Sequence, residues 1–158
     1  MKDSEFDELE FFRALGRAGV RYVLIGRRAL VVLGLPVMTV DYDLWIELDD
    51  AALLNAAAAP FGLFPNRTPE EARATGRYVL ENDERVDVLV SRSRTTVDGV
   101  SVTFSEVHAR RADIVIADGI TISLPCLDDL IATKRFAARP KDVEDVRALE
   151  ALKGRRLP

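Results

Sequence analysis

The sequence has one cysteine and one histidine, and it has no apolar run long enough for a membrane-spanning helix. A single cysteine, Cys126, excludes an internal disulfide, and its apolar surroundings are typical of an inert, small hydrophobic residue. A lone His108 argues against a zinc site or a serine–histidine catalytic arrangement. The cysteine count predicts a reducing, cytoplasmic setting.

The sequence also lacks an excess of basic charge and an apolar signal segment. The formal net charge is −4 and the pI is about 5.1, so no global positive field indicates nucleic-acid binding. The composition does not exclude a local basic patch. The first twelve residues, MKDSEFDELEFF, are acidic and lack the apolar core of a secretory signal. We therefore expect no membrane partner.

What the sequence does have is enough length and apolar content for one substantial core. Of its 158 residues, 48% are hydrophobic and 30% are charged, as in ordinary globular proteins. It contains no repeat, low-complexity stretch or long linker. We expect a single domain over residues 1–158.

The hydrophobic pattern predicts a mixture of helices and strands. Helices are expected over residues 5–18, 28–33, 51–59, 105–110, 127–137 and 140–152. Strands are expected over residues 21–25, 40–47, 77–81, 85–90, 100–104, 113–117 and 120–123. Residues 66–76 could be a loop or a short helix, residues 91–99 are expected to form a loop, and Asp49 or Asp50 is expected to cap the third helix. Together they predict an α/β or α+β fold with a mixed central sheet, flanking helices and a closing helical pair over about 127–152.

Two acids on one predicted strand indicate chemistry. Asp41 and Asp43 alternate along residues 40–47, so their side chains face the same way, with Cα atoms roughly 6.5 Å apart. Between apolar neighbours these carboxylates are costly unless a cation compensates them, and Mg²⁺ is the hard-oxygen partner that keeps positions open for substrate phosphates. Asp87 lies in the middle of the strand over residues 85–90. All three acids converge if the two strands are neighbours.

A glycine turn precedes the acid pair. The strand over residues 21–25 runs into Gly26 and a helix, whose first N–H groups would form an anion site for a triphosphate. Metal, acids and a phosphate-binding turn together indicate phosphoryl or nucleotidyl transfer.

On these residues the chain resembles the nucleotidyltransferase superfamily, close to its minimal bacterial members and to the toxin-type nucleotidyltransferases of abortive-infection systems. The family pattern is an apolar residue with Gly-Gly or Gly-Ser, then Asp-x-Asp about a dozen residues later, and a third acid on a later strand. Ile25-Gly26, Asp41-Tyr42-Asp43 and Asp87 match it in order and spacing. The stretch over residues 124–152 is similar to the helical ending of the small members.

The resemblance implies a nucleotidyltransferase fold and transfer of a nucleoside monophosphate from a nucleoside triphosphate, such as ATP, to a hydroxyl group. Asp41 and Asp43 would hold a pair of Mg²⁺ ions, and Asp87 would ligate one of them and help to deprotonate the acceptor. Gly26 would approach the phosphates, and Lys134 would neutralise triphosphate charge. The acceptor stays open between RNA, protein and a small molecule, and a partner protein or a second copy of the chain could present it.

Two departures from the family pattern leave activity open. The second glycine or serine position is Arg27, whose cation could crowd the phosphate turn or bind the phosphates itself. Relatives often carry arginine shortly before the acid pair, whereas this sequence has the uncharged residues 36–39, which end in Thr39. Arg27 or Arg28 could replace that charge, and these residues, with Thr39, are assigned to nucleotide binding. The alternatives to an active enzyme are a catalytically impaired nucleotide-binding module and a toxin–antitoxin subunit of the same fold.

The same residues also have simpler interpretations. The acid pair could lie on a solvated edge strand. Asp87 could be a surface acid paired with Arg85, and Lys134 could lie on a solvated helix face. Asp142 and Asp145 could merely cap the last helix or form local pairs along it.

Overall fold

The computed structural model describes residues 6–82, 84–137 and 139–156. Its helices are α1 (Glu8–Ala18), α2 (Gly26–Val32), α3 (Ala51–Ala58), α4 (Pro69–Thr75), α5 (Phe104–Ala109), α6 (Leu127–Lys134) and α7 (Pro140–Arg156), with short 3₁₀ helices at Leu48–Asp50 and Ala59–Phe61. Its strands are β1 (Tyr22–Ile25), β2 (Tyr42–Ile46), β3 (Leu63–Pro65), β4 (Arg77–Asn82), β5 (Arg85–Leu89), β6 (Ser93–Thr95), β7 (Ser101–Thr103), β8 (Ala112–Ala117) and β9 (Ile120–Leu124).

The central sheet has five strands in the order β1-β2-β5-β4-β3. β2 and β5 run parallel, and the other neighbouring pairs are antiparallel. β6–β7 and β8–β9 form two further antiparallel pairs. The expected mixed sheet with flanking helices is therefore confirmed. None of the described helices combines the length and the apolar character that crossing a bilayer requires.

One face of the central sheet builds the main core, because side chains alternate between faces along a strand. On β2, Leu44 and Ile46 point to this face and are fully buried, and on β5 Val86 and Val88 do the same. Phenylalanines of α1 and apolar residues of α3 pack in the same core. The residues between these positions must face the other side of the sheet.

The opposite face is covered over only part of its area. Trp45 and Val23 are buried there under a second apolar cluster that includes Phe104. The Trp45 indole N–H donates to the Ser91 carbonyl at 2.8 Å, so this tryptophan is a core residue. The row next to it, which contains Asp43 and Asp87, has no such apolar cover and borders a cleft.

The acid strand is shorter than the sequence predicts. β2 begins at Tyr42, and Val40, which we expected inside a buried strand, is 80% exposed. The approach to the strand is irregular after Pro36, and Asp41 is held by a local hydrogen bond from its N–H to the Thr39 hydroxyl at 3.1 Å. Asp41 therefore lies at the mouth of the sheet, one residue before the strand.

Two other expectations, for Asp50 and for residues 91–99, need correction, and the alternatives for residues 66–76 are resolved in favour of a short helix. Asp50 does not cap α3, because its carboxylate accepts from the backbone N–H and the guanidinium of Arg21 at 2.9–3.0 Å. Residues 91–99, expected as a loop, contain β6. Residues 66–76 contain α4, which begins with a capping box between Thr68 and Glu71. The predicted first residue of the first helix, Glu5, lies outside the described residues, and α1 begins after the cap Asp7.

Candidate active site

The sheet topology brings the three predicted acids to one place. β2 and β5 are parallel neighbours, and Asp43 lies directly opposite Asp87 in their register. Asp41 precedes Asp43 by two residues. Asp43 is half-buried, whereas Asp41 is exposed and the Asp87 side chain is 37% exposed. The convergence predicted from the sequence is thus present as one row of carboxylates along the uncovered sheet face.

Gly26 lies directly against this row. Its φ is +71°, a left-handed conformation that favours glycine. The residue before it, Ile25, is the register partner of Asp43 between β1 and β2. A Cβ atom on Gly26 would overlap the Asp43 Oδ2 atom and stand 3.0 Å from Cγ. Any other residue at this position would have a strained backbone and would collide with the Asp43 carboxylate.

The Asp43 carboxylate has a raised pKa. Burial, followed by the charges of Asp87 and Asp41, raises the pKa of Asp43 to about 6, although Lys134 and Lys141 partly oppose the shift. Among the residues that the structure describes, no Lys, Arg or His nitrogen lies within 4.0 Å of that carboxylate. A buried acid surrounded by like charge is typical of a functional site, where it binds a cation or a proton.

Asp43→Asn is expected to stabilise the metal-free protein above about pH 6. Because the folded pKa of about 6 is above the ordinary aspartate pKa of 3.8, the stabilising contribution of Asp43 is present below about pH 4 and is lost as pH rises through about 6. The asparagine variant should gain roughly 1–3 kcal/mol in free energy of unfolding at neutral pH and almost nothing near pH 4. Urea unfolding in EDTA at both pH values measures the difference, with the exposed Asp49→Asn as control. A loss of stability at neutral pH would contradict the expected cause.

The carboxylates have the chemistry that Mg²⁺ requires, but they do not form a complete cage. Within residues 6–82, 84–137 and 139–156, no group of three or more Asp, Glu, His or Cys side chains is arranged to hold a metal. Arg85 also donates to both oxygens of Asp87, at 3.2 and 3.4 Å. The carboxylates of Asp41 and Asp43 remain available to a metal. An open site of this kind suits Mg²⁺, which usually keeps water and substrate phosphates among its ligands.

Arg28 and Thr39 shape the loop that presents Asp41. The Arg28 guanidinium donates to the carbonyls of Thr39 and Asp41 at 3.2 and 3.3 Å. It also stacks over the Tyr42 ring, 4.2 Å from the ring centroid. Thr39 lines the cleft, whereas Arg28 is not among the residues that line it. Their assignment to nucleotide binding stays a prediction, and the contacts that the structure shows are with the protein itself.

Arg27 and Lys134 meet at an acid that the sequence did not single out as functional. The Lys134 ammonium contacts Asp145 Oδ2 at 2.7 Å, and Arg27 Nε lies 3.3 Å from the same oxygen. The side chains of Lys134 and Asp145 are 6% and 1% exposed, so Lys134 is not on a solvated helix face. This cluster ties α2, α6 and α7 together beside the glycine turn. The three-residue spacing of Asp142 and Asp145 on α7 was the available signal, because it places both acids on one helix face.

The cleft itself has a volume of about 620 Å³. Its walls carry four carboxylates, Asp41, Asp43, Asp87 and Asp142, and eight cations, Arg27, Arg67, Arg77, Arg85, Arg94, Lys134, Arg139 and Lys141. This excess of cations lies in a protein whose net charge is −4. The basic patch that composition left open is therefore concentrated around the acids, where it would attract an anionic substrate.

The mixed sheet with a glycine turn beside an acid pair defines the nucleotidyltransferase fold. Solved structures share it: the antibiotic-resistance factor ANT(2″)-Ia in complex with adenylyl-2″-tobramycin matches with a TM-score of 0.60 at 17% identity, covering 88% of this chain and 83% of that one. The lincosamide antibiotic adenylyltransferase LnuA, lincomycin-bound, matches with a TM-score of 0.60 at 14% identity over 93% of this chain and 98% of that one. TM1012 from Thermotoga maritima, described as a nucleotidyltransferase, matches with a TM-score of 0.58 at 15% identity over 93% and 90%.

Sequence comparison adds no relative to these structures. No protein-family profile matches the sequence, and a comparison with curated proteins gives no significant match. At such low identities the structural likeness confirms the fold that the motif resemblance implied.

Proposed function

We propose that this protein is a metal-dependent nucleotidyltransferase, which moves a nucleoside monophosphate from a nucleoside triphosphate to an acceptor hydroxyl. The observation that carries the proposal is Asp43, a half-buried carboxylate without a cation partner in the described structure, next to Asp87 and the Gly26 turn. The likeness in fold to ANT(2″)-Ia, an antibiotic-resistance factor solved with adenylyl-2″-tobramycin, and to the antibiotic adenylyltransferase LnuA supports it.

Each residue has a chemical task in this proposal. Asp41 and Asp43 would hold Mg²⁺, which when bound would offset the charge that develops on the phosphates. The acceptor oxygen forms a bond to the α-phosphorus, the bond from that phosphorus to the bridging oxygen breaks, and pyrophosphate leaves. Asp87 takes the proton from the acceptor hydroxyl, which requires Arg85 to release at least one of its oxygens. Gly26 leaves room for the phosphates beside Asp43.

Magnesium-dependent binding of a nucleoside triphosphate is the first expected result. ATP, GTP, CTP and UTP are each tested by thermal unfolding, with Mg²⁺ or with EDTA. A ligand at roughly 100 times its Kd should stabilise the protein by about 2.7 kcal/mol, and we expect this only when Mg²⁺ is present. Transfer is then followed with triphosphates labelled at the α-phosphate and offered RNA, protein and small hydroxyl compounds. Equal stabilisation in EDTA would contradict a metal-bridged site.

A catalytically impaired nucleotide-binding module is the second candidate. The observation that favours it is the engagement of catalytic groups by the protein itself: Arg85 holds Asp87, and Asp145 holds Arg27 and Lys134. Binding of triphosphate with Mg²⁺, together with no label transfer to any acceptor, would support this module over the enzyme. In either role, the single cysteine is consistent with our proposal that the protein works in the cytoplasm.

A further inference from the structure

Three arginines that line the cleft have no acid partner among the residues that the structure describes. Arg67, Arg77 and Arg94, which we call the arginine wall, all line the cleft. Within the described part of the chain, none of them lies within 4.0 Å of a carboxylate. Other arginines of the cleft do: Arg27 is paired with Asp145, Arg85 with Asp87 and Arg139 with Asp142. The charge of the wall is therefore available to a ligand.

Two members of the wall, Arg67 and Arg94, are positioned by contacts with neutral groups, which leave their charge uncompensated. Arg67 donates to the Thr75 hydroxyl at 2.7 Å and to the Arg77 carbonyl at 3.0 Å, which anchors one guanidinium beside the next residue of the wall. Arg94 lies over the Phe136 ring, 5.2 Å from its centroid. Burial and the neighbouring Arg77 lower the pKa of Arg94. The positive charges of Arg77 and Arg94 thus lie close enough to repel each other, and a bound anion would reduce that repulsion.

The order of the strands separates Arg77 of the wall from the glycine turn. Gly26 follows β1, Asp43 and Asp87 lie on β2 and β5, and Arg77 lies on β4. From β1 to β4 there are three strand spacings of about 4.8 Å, or roughly 14 Å. Val79 is the register partner of Asp87, and Arg77, two residues away, shares its face. Arg77 therefore lies one strand beyond Asp87 on the same face of the sheet, where the wall could contact an acceptor whose hydroxyl lies at Asp87.

We propose that the arginine wall binds the acceptor, and that the acceptor carries phosphate close to the hydroxyl that is modified. This inference rests on the proposed nucleotidyl transfer. Guanidinium groups bind phosphate oxygens through paired hydrogen bonds, so three of them fit one or more phosphates better than a neutral acceptor. A polycationic acceptor would be repelled by the same wall. The phosphate can belong to the 3′ end of a nucleic-acid strand or to a small phosphorylated molecule.

Anion binding tests the wall without any turnover. The probes are a short single-stranded oligoribonucleotide with a 5′ fluorescein, followed by anisotropy in EDTA, and AMP as its competitor. The double variant Arg77→Gln, Arg94→Gln should raise the Kd of the oligoribonucleotide by roughly 10- to 100-fold, because it removes charge-assisted hydrogen bonds. The matched control is Arg17→Gln, Arg73→Gln, which removes the same charge from exposed helix positions outside the cleft. Displacement by AMP at similar concentration indicates a small phosphorylated acceptor, and its failure indicates a nucleic-acid strand.

Kinetics separate this inference from the proposed function. In the transfer assay the double variant should raise the KM for the phosphorylated acceptor and leave the KM for the nucleoside triphosphate unchanged. A raised KM for the triphosphate alone, equal losses in the control, or no binding of either probe would overturn the acceptor role. Binding that depends on the wall, without transfer to any acceptor, would retain the anion site and reject the transferase. Transfer that the double variant leaves unchanged would retain the transferase and reject the acceptor role of the wall.

Discussion

Asp43→Asn is expected to give a protein that folds at least as well as the wild type at neutral pH and transfers no measurable nucleotide. The carboxylate is destabilising in the metal-free fold because it is half-buried beside Asp41 and Asp87. The same charge would be required to hold Mg²⁺, and loss of metal stabilisation of the transition state amounts to several kcal/mol. At 1.36 kcal/mol for each factor of ten, a loss of roughly 10³-fold or more in kcat/KM is expected.

Opposite changes in stability and activity make this variant informative. A loss of activity cannot be attributed to misfolding if urea unfolding shows a gain in stability, as expected where a site is destabilised for function. Asp49→Asn removes an equal charge from an exposed acid outside the cleft and should retain full activity. Full transfer by Asp43→Asn would disprove the assignment of this residue to the metal.

Asp145→Ala is expected to be among the most destabilising single substitutions in the chain, with a loss of about 3–5 kcal/mol in free energy of unfolding. It leaves the Lys134 ammonium, 6% exposed, without its partner at 2.7 Å, and it removes the contact to Arg27. An uncompensated buried cation is costly in a medium of low dielectric constant. Thermal and urea unfolding at neutral pH measure the effect.

Asp142→Ala supplies the matched control on the same helix. The Asp142 side chain is 3% exposed, but its partner Arg139 is 60% exposed and can return to water when the acid is removed. We therefore expect a loss of only about 1 kcal/mol for this exposed-partner pair. A double variant, Lys134→Met with Asp145→Leu, should recover most of the stability that Asp145→Ala loses, because no charge is then left buried. Equal losses for Asp145→Ala and Asp142→Ala would argue that pairing with Lys134 is unimportant.

The sequence predicts most of the fold because local signals and the hydrophobic period agree along much of the chain. The β8–β9 pair follows from the Asp118-Gly119 turn, and α1 ends at Gly19 as expected. Elements held by partners distant in sequence were missed or misplaced. β3 has three residues and is defined by its pairing with β4. The Asp50 carboxylate accepts hydrogen bonds from Arg21 and therefore does not cap α3.

The candidate site divides in the same way. Asp41, Asp43, Gly26 and Asp87 were identified from spacing, and the structure brings them together. The partner of Lys134 was not identified, because Asp145 lies eleven residues away on another helix. The spacing of Asp142 and Asp145 indicates a shared helix face but not what that face contacts. The arginine wall was missed for the same reason. Its members come from different loops and strands and meet only in the folded sheet.

The direct opposition of Asp43 and Asp87 across a parallel strand pair also limits how this chain can change in length. One residue inserted within β2 or β5 would rotate the acid from the open face into the core, and two would restore the face but move the carboxylate by roughly 6.6 Å. By contrast, an insertion in the irregular segment before Asp41 changes neither strand. Natural variation in length should therefore be found between α2 and β2 and be rare within either acid-bearing strand.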